Sequence, residues 1–322
     1  MVNTVPVVSV IMNCYNSAKY LAEAIDSVYA QDFSDWEIIF FDNCSTDASP
    51  EIAKQYNDGR LLYFRGDKNV PLGHARNLAI EKARGKYIAF LDCDDLWTKS
   101  KLTKQMAVLE ADDKLGGVFS DALFFGHGRK AFRTFPVHKP RQGMIFSDLL
   151  CRYVLPMPTI VLRRQALDHI NGWFDERFNM VEDADLFMRL AYYYPMAYVD
   201  EVLAHRRMHA GSWTTMKKEL FPKEEEMLLE KFASLWPNFQ VDYATEIARM
   251  RAVIQYQYAV LDWEKGNNAA ARQRMAPYLG AMKKMWAPYL CSFLPINFYK
   301  IIKGVYKRAA ASMIGSVDDQ VF

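Results

Sequence analysis

Asp92, Asp94 and Asp95 crowd together directly after the apolar run Tyr87-Ile88-Ala89-Phe90-Leu91. A short apolar run bounded by polar residues predicts a buried strand. The acids then fall just past its carboxyl end, which is where open α/β sheets bind ligands. Negative charge this dense repels itself unless a cation or solvent offsets it. A hard divalent ion such as Mg²⁺ or Mn²⁺, bridging carboxylates to a diphosphate, is the natural partner. The competing reading is a solvated acidic turn, with Asp95 capping the helical pattern that follows Trp97.

Three other stretches carry groups able to do chemistry. Asp42-Asn43-Cys44-Ser45-Thr46-Asp47 follows the apolar run Trp36–Phe41. A carboxylate there can accept from the N–H of a uracil-like base, or the stretch can be an Asx turn and helix cap. Gly73-His74-Ala75-Arg76-Asn77 sets a small residue and a base at a helix start, suited to approaching a phosphate or sugar; as a solvated helix residue Arg76 would do none of this. Glu182-Asp183 opens a helical pattern. These acids either compensate the helix dipole or supply a general base, its pKa raised by neighbouring carboxylates.

The elements that position these groups alternate. Val7–Met12, Trp36–Phe41, Leu61–Phe64 and the run before Asp92 read as strands, separated by helical patterns from Tyr20, Ser49 and Gly73. Gly85 reads as the glycine that stops the third helix. Strands alternating with helices predict βαβ units and a parallel sheet. Cys14, Cys44 and Cys93 each fall beyond a strand end, but without zinc spacing they read as small loop residues. Further on, Gly117–Ala122 and Thr159–Leu162 read as strands, and Phe125–Gln142, rich in Gly, Pro and basic residues, as a long loop. From Lys217 the pattern is helical, with Ile247–Trp263 and Ala269–Leu279 as a helical hairpin.

The chain has 322 residues, 51% hydrophobic and 24% charged, which is globular composition. A net charge of +2 does not mark a nucleic-acid binder. Five scattered cysteines without a CxxC favour a reducing compartment over a disulfide framework. The N-terminus has no basic region leading into a long apolar stretch, and no run of 18 apolar residues occurs, so neither a signal peptide nor a membrane span is expected. A cytoplasmic protein is the expectation.

Five segments stand together in an order and spacing that resembles the family 2 glycosyltransferases. They are Val8–Asn16, Asp42–Asp47, Gly73–Asn77, Phe90–Asp95 and Glu182–Leu186. The resemblance covers about residues 5–215. It implies an α/β fold of the GT-A type: a Rossmann-like mixed, mostly parallel sheet flanked by helices. The catalytic domain would span 1–215, with 1–100 holding the nucleotide-sugar and 101–215 the acceptor. Residues 216–322 would form a C-terminal helical extension.

By that resemblance Asp42 holds the uracil of a UDP-sugar, with Asn13, Tyr15, Asn16 and Cys93 completing the nucleotide-sugar site and Arg76 near the donor sugar. Asp92 and Asp94 form the Asp-x-Asp motif. Arg207 and His209 match the family's Arg-x-His segment, so Asp94 and His209 are the metal-binding candidates for Mn²⁺ or Mg²⁺. Asp183 is the implied base, with Glu182 beside it. The implied reaction moves a sugar to a hydroxyl of a glycan or lipid-linked acceptor, with inversion. The rival readings are an inactive sugar-nucleotide-binding subunit of a glycan assembly complex and a sugar-nucleotide nucleotidyltransferase. The second expects a Gly-rich basic loop after the first strand, and Asn13-Cys14-Tyr15-Asn16 is not one.

Between Lys265 and Val317 the sequence has no Asp or Glu. Lysines and arginines interleave there with Trp286, Tyr289, Phe293, Phe298 and Tyr306, the composition of an interfacial membrane segment. The expectation is peripheral contact with the inner face of the cytoplasmic membrane, the alternative being an ordinary helix packed on the catalytic domain or a partner subunit with its lysines solvated; room is left for a homo-oligomer.

Overall fold

The computed structural model describes residues 5–299, apart from 127, 129, 137, 171, 212–215 and 281. Two compact units divide the chain: Met1–Phe146 with Val154–Ser212, and Ser147–Tyr153 with Trp213–Phe322.

The described residues of the first unit form one sheet of nine strands. These are β1 (Val8–Cys14), β2 (Trp36–Asp42), β3 (Leu61–Arg65), β4 (Tyr87–Phe90), β5 (Leu96–Trp97), β6 (Gly117–Phe125), β7 (Phe132–Arg133), β8 (Val161–Arg163) and β9 (Met196–Arg207). Their order is β3-β2-β1-β4-β8-β6-β9-β5, with β7 paired to β6. Pairing is parallel from β3 through β4 and again between β6 and β9; β8, β7 and β5 pair antiparallel. The sheet is therefore mixed. β2 and β4 are buried along their whole length, which is why they read as unbroken apolar runs rather than alternating ones.

Four helices connect the early strands: α1 (Ala18–Tyr29), α2 (Ser49–Lys54), α3 (Leu72–Lys82) and α4 (Lys101–Ala111). The apolar stripe of α1, Leu21, Ala24, Ile25 and Val28, is fully buried, the spacing of a helix lying on a core. It joins Val8, Val10, Met12, Ile38, Phe40, Tyr87 and Leu102 in one hydrophobic cluster.

Four local expectations change. Gly85 does not end α3, whose capping residue is the extended Ala83. Its requirement is steric, because a Cβ there would lie 2.6 Å from the Ser9 backbone nitrogen, and its own N–H donates to Ser9 Oγ at 2.8 Å. The stretch from Phe125 is not simply a loop: β7 pairs with β6, Phe132 stacks on Phe124, and Arg133 pairs with Asp121 at 2.6 Å. Met157–Thr159 is a 3₁₀ turn preceding β8. Asp95 caps no helix; α4 is preceded by Ser100.

In the second unit, helices Phe221–Leu235, Ala244–Glu264 and Asn268–Met275 dominate. The expected hairpin turns at Gly266, whose φ of +82° favours glycine. Tyr256, Trp263, Ala271, Met275 and Met285 form its core. No helix among the described residues is long and apolar enough to cross a membrane. The part of the basic stretch from Lys300 to Val317 lies outside the described residues.

Candidate functional site

β1, β2 and β4 end side by side, Cys14 opposite Asp42 and Ile11 opposite Phe90. The loops that follow these strands consequently share one edge of the sheet. Two of them carry non-glycine residues in left-handed backbone, Asn16 at φ +51° and Cys44 at φ +65°. Side chains hold both bends. Asn16 Oδ1 accepts the Thr46 N–H at 2.8 Å, the Asn16 N–H donates to Ser45 Oγ at 3.0 Å, and Cys44 Sγ donates to Gly66 O at 3.0 Å. Asp47 serves helix ends, accepting from the N–H groups of Ala18 and Ser49 at 3.0 Å each.

Asp42 is fully buried at the end of β2. Its Oδ1 accepts the Ser45 N–H at 2.8 Å, while Oδ2 accepts Tyr63 OH and Arg65 Nη1, both at 2.7 Å. Tyr63 and Arg65 were missed by sequence reasoning. The available signal was their i, i+2 spacing on β3, which turns both to one side of the strand next to Asp42. Asp42 thus arrives engaged by three internal donors, and the half-exposed Arg65 is the group of that cluster that faces solvent. In the first loop, both polar atoms of the Asn13 amide are buried and have no hydrogen-bond partner. An orphaned buried amide costs about 1–3 kcal/mol, so it marks a place a ligand can satisfy. Tyr15 is 52% exposed beside it.

Cys14 and Cys93 meet beneath this edge. Cys93 Sγ donates to Asn13 O at 3.2 Å. Its hydrogen bond with Cys14 pulls the Cys14 thiol down to about 7 against the opposing effect of burial. No group of three or more His, Cys, Asp or Glu side chains among the described residues could by itself hold a metal ion.

The acidic cluster after β4 is distributed among three partners. Arg76, on the first turns of α3 and only 4% exposed, bridges Asp92 Oδ1 at 2.9 Å and Glu182 Oε1 at 2.7 Å. Asp94 Oδ2 lies 2.8 Å from His209 Nε2. Burial and the adjacent Asp92 raise the Asp94 carboxyl, which the imidazole partly offsets. Asp95 is buried and accepts the Arg207 N–H at 2.8 Å; burial, Asp94 and Asp92 together push its carboxyl well above the usual range. Arg207 also donates to Asp94 O at 3.0 Å and to Glu23 at 2.7 Å, and its guanidinium lies over Tyr20. Two-residue β5 makes this possible: Leu96 pairs with His205, folding the acidic turn under the end of β9.

Glu182 and Asp183 open the helix Glu182–Tyr193, as expected. They differ sharply in surroundings. Glu182 is 6% exposed and its Oε2 is buried with no hydrogen-bond partner; burial raises it to about 7 although Arg76 opposes the shift. Asp183 is half-buried, with Oδ1 accepting the Ala184 N–H at 2.7 Å. Asn77, one residue beyond Arg76, clamps Phe174 with reciprocal bonds of 2.9 Å, fixing the approach to this helix.

The donor set suits a hard cation in part. Asp94 and His209 could offer two ligands, and Mg²⁺ or Mn²⁺ would then need diphosphate oxygens and water rather than an all-protein cage for the rest. Burial raises the Asp94 and Asp95 carboxyls, neighbouring carboxylates add to the shift, and a cation beside them would oppose it.

The family model described as Glycosyl transferase family 2 matches residues 9–170. A Bacillus subtilis (strain 168) protein provisionally named as a teichuronic acid biosynthesis glycosyltransferase, TuaG, is 31% identical over 263 residues, 78% of this chain and all of that one. Among solved structures, Staphylococcus aureus TarS 1–349 in complex with UDP-GlcNAc superposes with a TM-score of 0.60 at 20% identity, covering 84% of this chain and 88% of that one. Mannosyltransferase PcManGT from Pyrobaculum calidifontis, in complex with GDP-Man and Mn²⁺, gives 0.59 at 18% identity, covering 98% and 89%. At these identities the two structures establish likeness of fold.

Proposed function

The chain belongs to glycosyl transferase family 2 and has the GT-A fold, and from that premise we propose that it transfers a sugar from a UDP-sugar to a hydroxyl of a glycan or lipid-linked acceptor, with inversion and the help of Mn²⁺ or Mg²⁺. The observation that carries this reading is one connected array: Glu182 to Arg76 to Asp92, and two residues on, Asp94 to His209. It joins groups from four separate segments at the sheet edge where the nucleotide loops end.

Each residue has a distinct task in this reading. Asn13, Tyr15, Asn16 and Cys93 line the donor site beside Asp42, whose cluster with Tyr63 and Arg65 forms its wall. Asp94 and His209 would hold the cation. When bound, it supplies positive charge against the charge that accumulates on the departing diphosphate. Arg76 fixes Asp92 towards the donor and keeps Glu182 engaged, and Asp183 is the less buried member of its pair. Asp183 takes the proton from the acceptor hydroxyl, and that oxygen attacks the anomeric carbon from the face opposite the leaving group. A single displacement inverts the configuration. The catalytic domain in this reading spans residues 1–215, and the basic region from Lys265 brings the enzyme to the membrane where a lipid-linked acceptor resides.

A donor screen tests the proposal. UDP-sugars and GDP-mannose are incubated with the enzyme in Mn²⁺, Mg²⁺ or chelator, and nucleotide release is followed together with melting temperature, since a ligand bound to the folded state alone raises it. UDP release that needs the cation is the expected result. Release from the GDP-sugar only, or undiminished release in chelator, overturns the donor or the metal assignment respectively.

A further inference from the structure

The segment from Lys283 to Tyr299 is held from one side only. Met285 and Ser292 are buried, and Tyr299 stacks on Trp263 with ring centroids 5.2 Å apart. Trp263 Nε1 donates to Leu294 O at 2.8 Å, and Arg272 Nη1 donates to Ser292 O at 2.8 Å. These bonds tie down the backbone and the inner side chains. The outer side carries Trp286, Leu290, Phe293, Leu294 and Phe298, each between 47% and 60% exposed. Trp286 and Leu290 lie one turn apart on the short helix Trp286–Cys291, and Phe293, Leu294 and Phe298 follow beyond its end.

The rim of this face is cationic. Lys283 and Lys284 are exposed immediately before Trp286, and the Arg272 guanidinium lies 4.3 Å from the centre of the Phe293 ring. No acid occurs from Lys265 to Val317, while that stretch has nine Lys and Arg residues. Exposed aromatic and leucine side chains with Lys283, Lys284 and Arg272 beside them are complementary to an anionic lipid surface: the rings enter the headgroup boundary and the lysines meet the phosphates, while the acid Glu264 shares a cavity with Pro295, Ile296 and Asn297 of the same segment.

We infer that Trp286, Leu290, Phe293, Leu294 and Phe298, with Lys283 and Lys284, form a docking face for an anionic membrane. This deepens the membrane contact proposed above and rests on that reading, but not on the transfer chemistry. The face binds lipid by insertion, and the lysines make the binding selective for negative charge and sensitive to salt.

The test uses the full-length protein and vesicles of phosphatidylcholine with or without phosphatidylglycerol. Wild type is expected to sediment with the anionic vesicles and to be released by salt. Brominated lipid is expected to quench a fluorescence component that W286F lacks. W286S/F293S and K283E/K284E should each lower the partition coefficient by roughly tenfold or more, a lysine near an anionic surface being worth about fivefold. Both variants should keep nucleotide release with a soluble acceptor. Equal recovery on neutral vesicles, or wild-type partition retained by both double variants, overturns the inference. A dimer abolished by W286S/F293S, with no recovery on any vesicle, gives the face to a second copy and also overturns it. Lipid binding that survives while no donor is turned over leaves this inference standing and overturns the transferase reading instead.

Discussion

Arg76 shares one guanidinium between Asp92 and Glu182, and that sharing separates the two acids at the start of the helix Glu182–Tyr193. Glu182 is a buried counter-ion that burial raises to about 7 against the pull of Arg76, while Asp183 stays half-buried beside it. On the proposed assignment, Asp183→Asn abolishes transfer, lowering kcat by roughly a thousandfold or more, with UDP affinity by calorimetry unchanged. Full activity in that variant would sink the base assignment. Arg76→Lys places a point charge where a planar fork reaches two carboxylates, so kcat should fall by roughly a hundredfold. The far-UV spectrum should be retained. Most of the carboxylates concerned are visible in the sequence from their positions after strands. Burial of Arg76 is not, because a basic residue on the first turns of a helix reads equally well as solvated.

At the scale of elements, the first hundred residues were the legible part. β1, β2 and β4 are buried on both faces and so write themselves as continuous apolar runs, with α1 and α3 at helical period between them. Two-residue β5 and β7 have no periodicity to read, and each exists only because a longer strand offers it an edge. Gly85 shows the same limit in a single residue: its place after a helix suggested a stop signal, whereas its role is to let the backbone pass Ser9. Gly85→Ala should therefore cost about 1–3 kcal/mol, as atoms forced into a packed region do. The check is a lower urea midpoint with an unchanged slope. Wild-type stability in that variant would show that β1 and the β4 approach can part without loss.

For the whole molecule, one acid of the second unit contributes a pH dependence of stability. Glu225, in the helix Phe221–Leu235, is raised from an ordinary value of 4.5 to about 7 by burial, and its Oε2 is buried with no hydrogen-bond partner. The folded state therefore binds a proton that the unfolded chain has released, and this contribution is present below about 4.5 and lost as pH rises to about 7. Glu225→Gln removes the dependence: its melting temperature should exceed wild type by a margin that grows from pH 4.5 to 7 and then stays constant. A constant difference across that range would contradict it.

The sequence by itself determined the alternation of buried strands and helices, the acids at the strand ends, and the acid-free basic stretch from Lys265 to Val317. These are properties of local pattern and composition, and they survive without knowing which segments meet. Tertiary structure alone decided which charges face each other. Asp92 meets Arg76, and Asp94 meets His209, because β1, β2 and β4 end together and β5 folds under β9. Pairing between groups distant along the chain depends on register and on burial that raises their mutual energy above that of solvated charges. Neither quantity is written in any single stretch of residues.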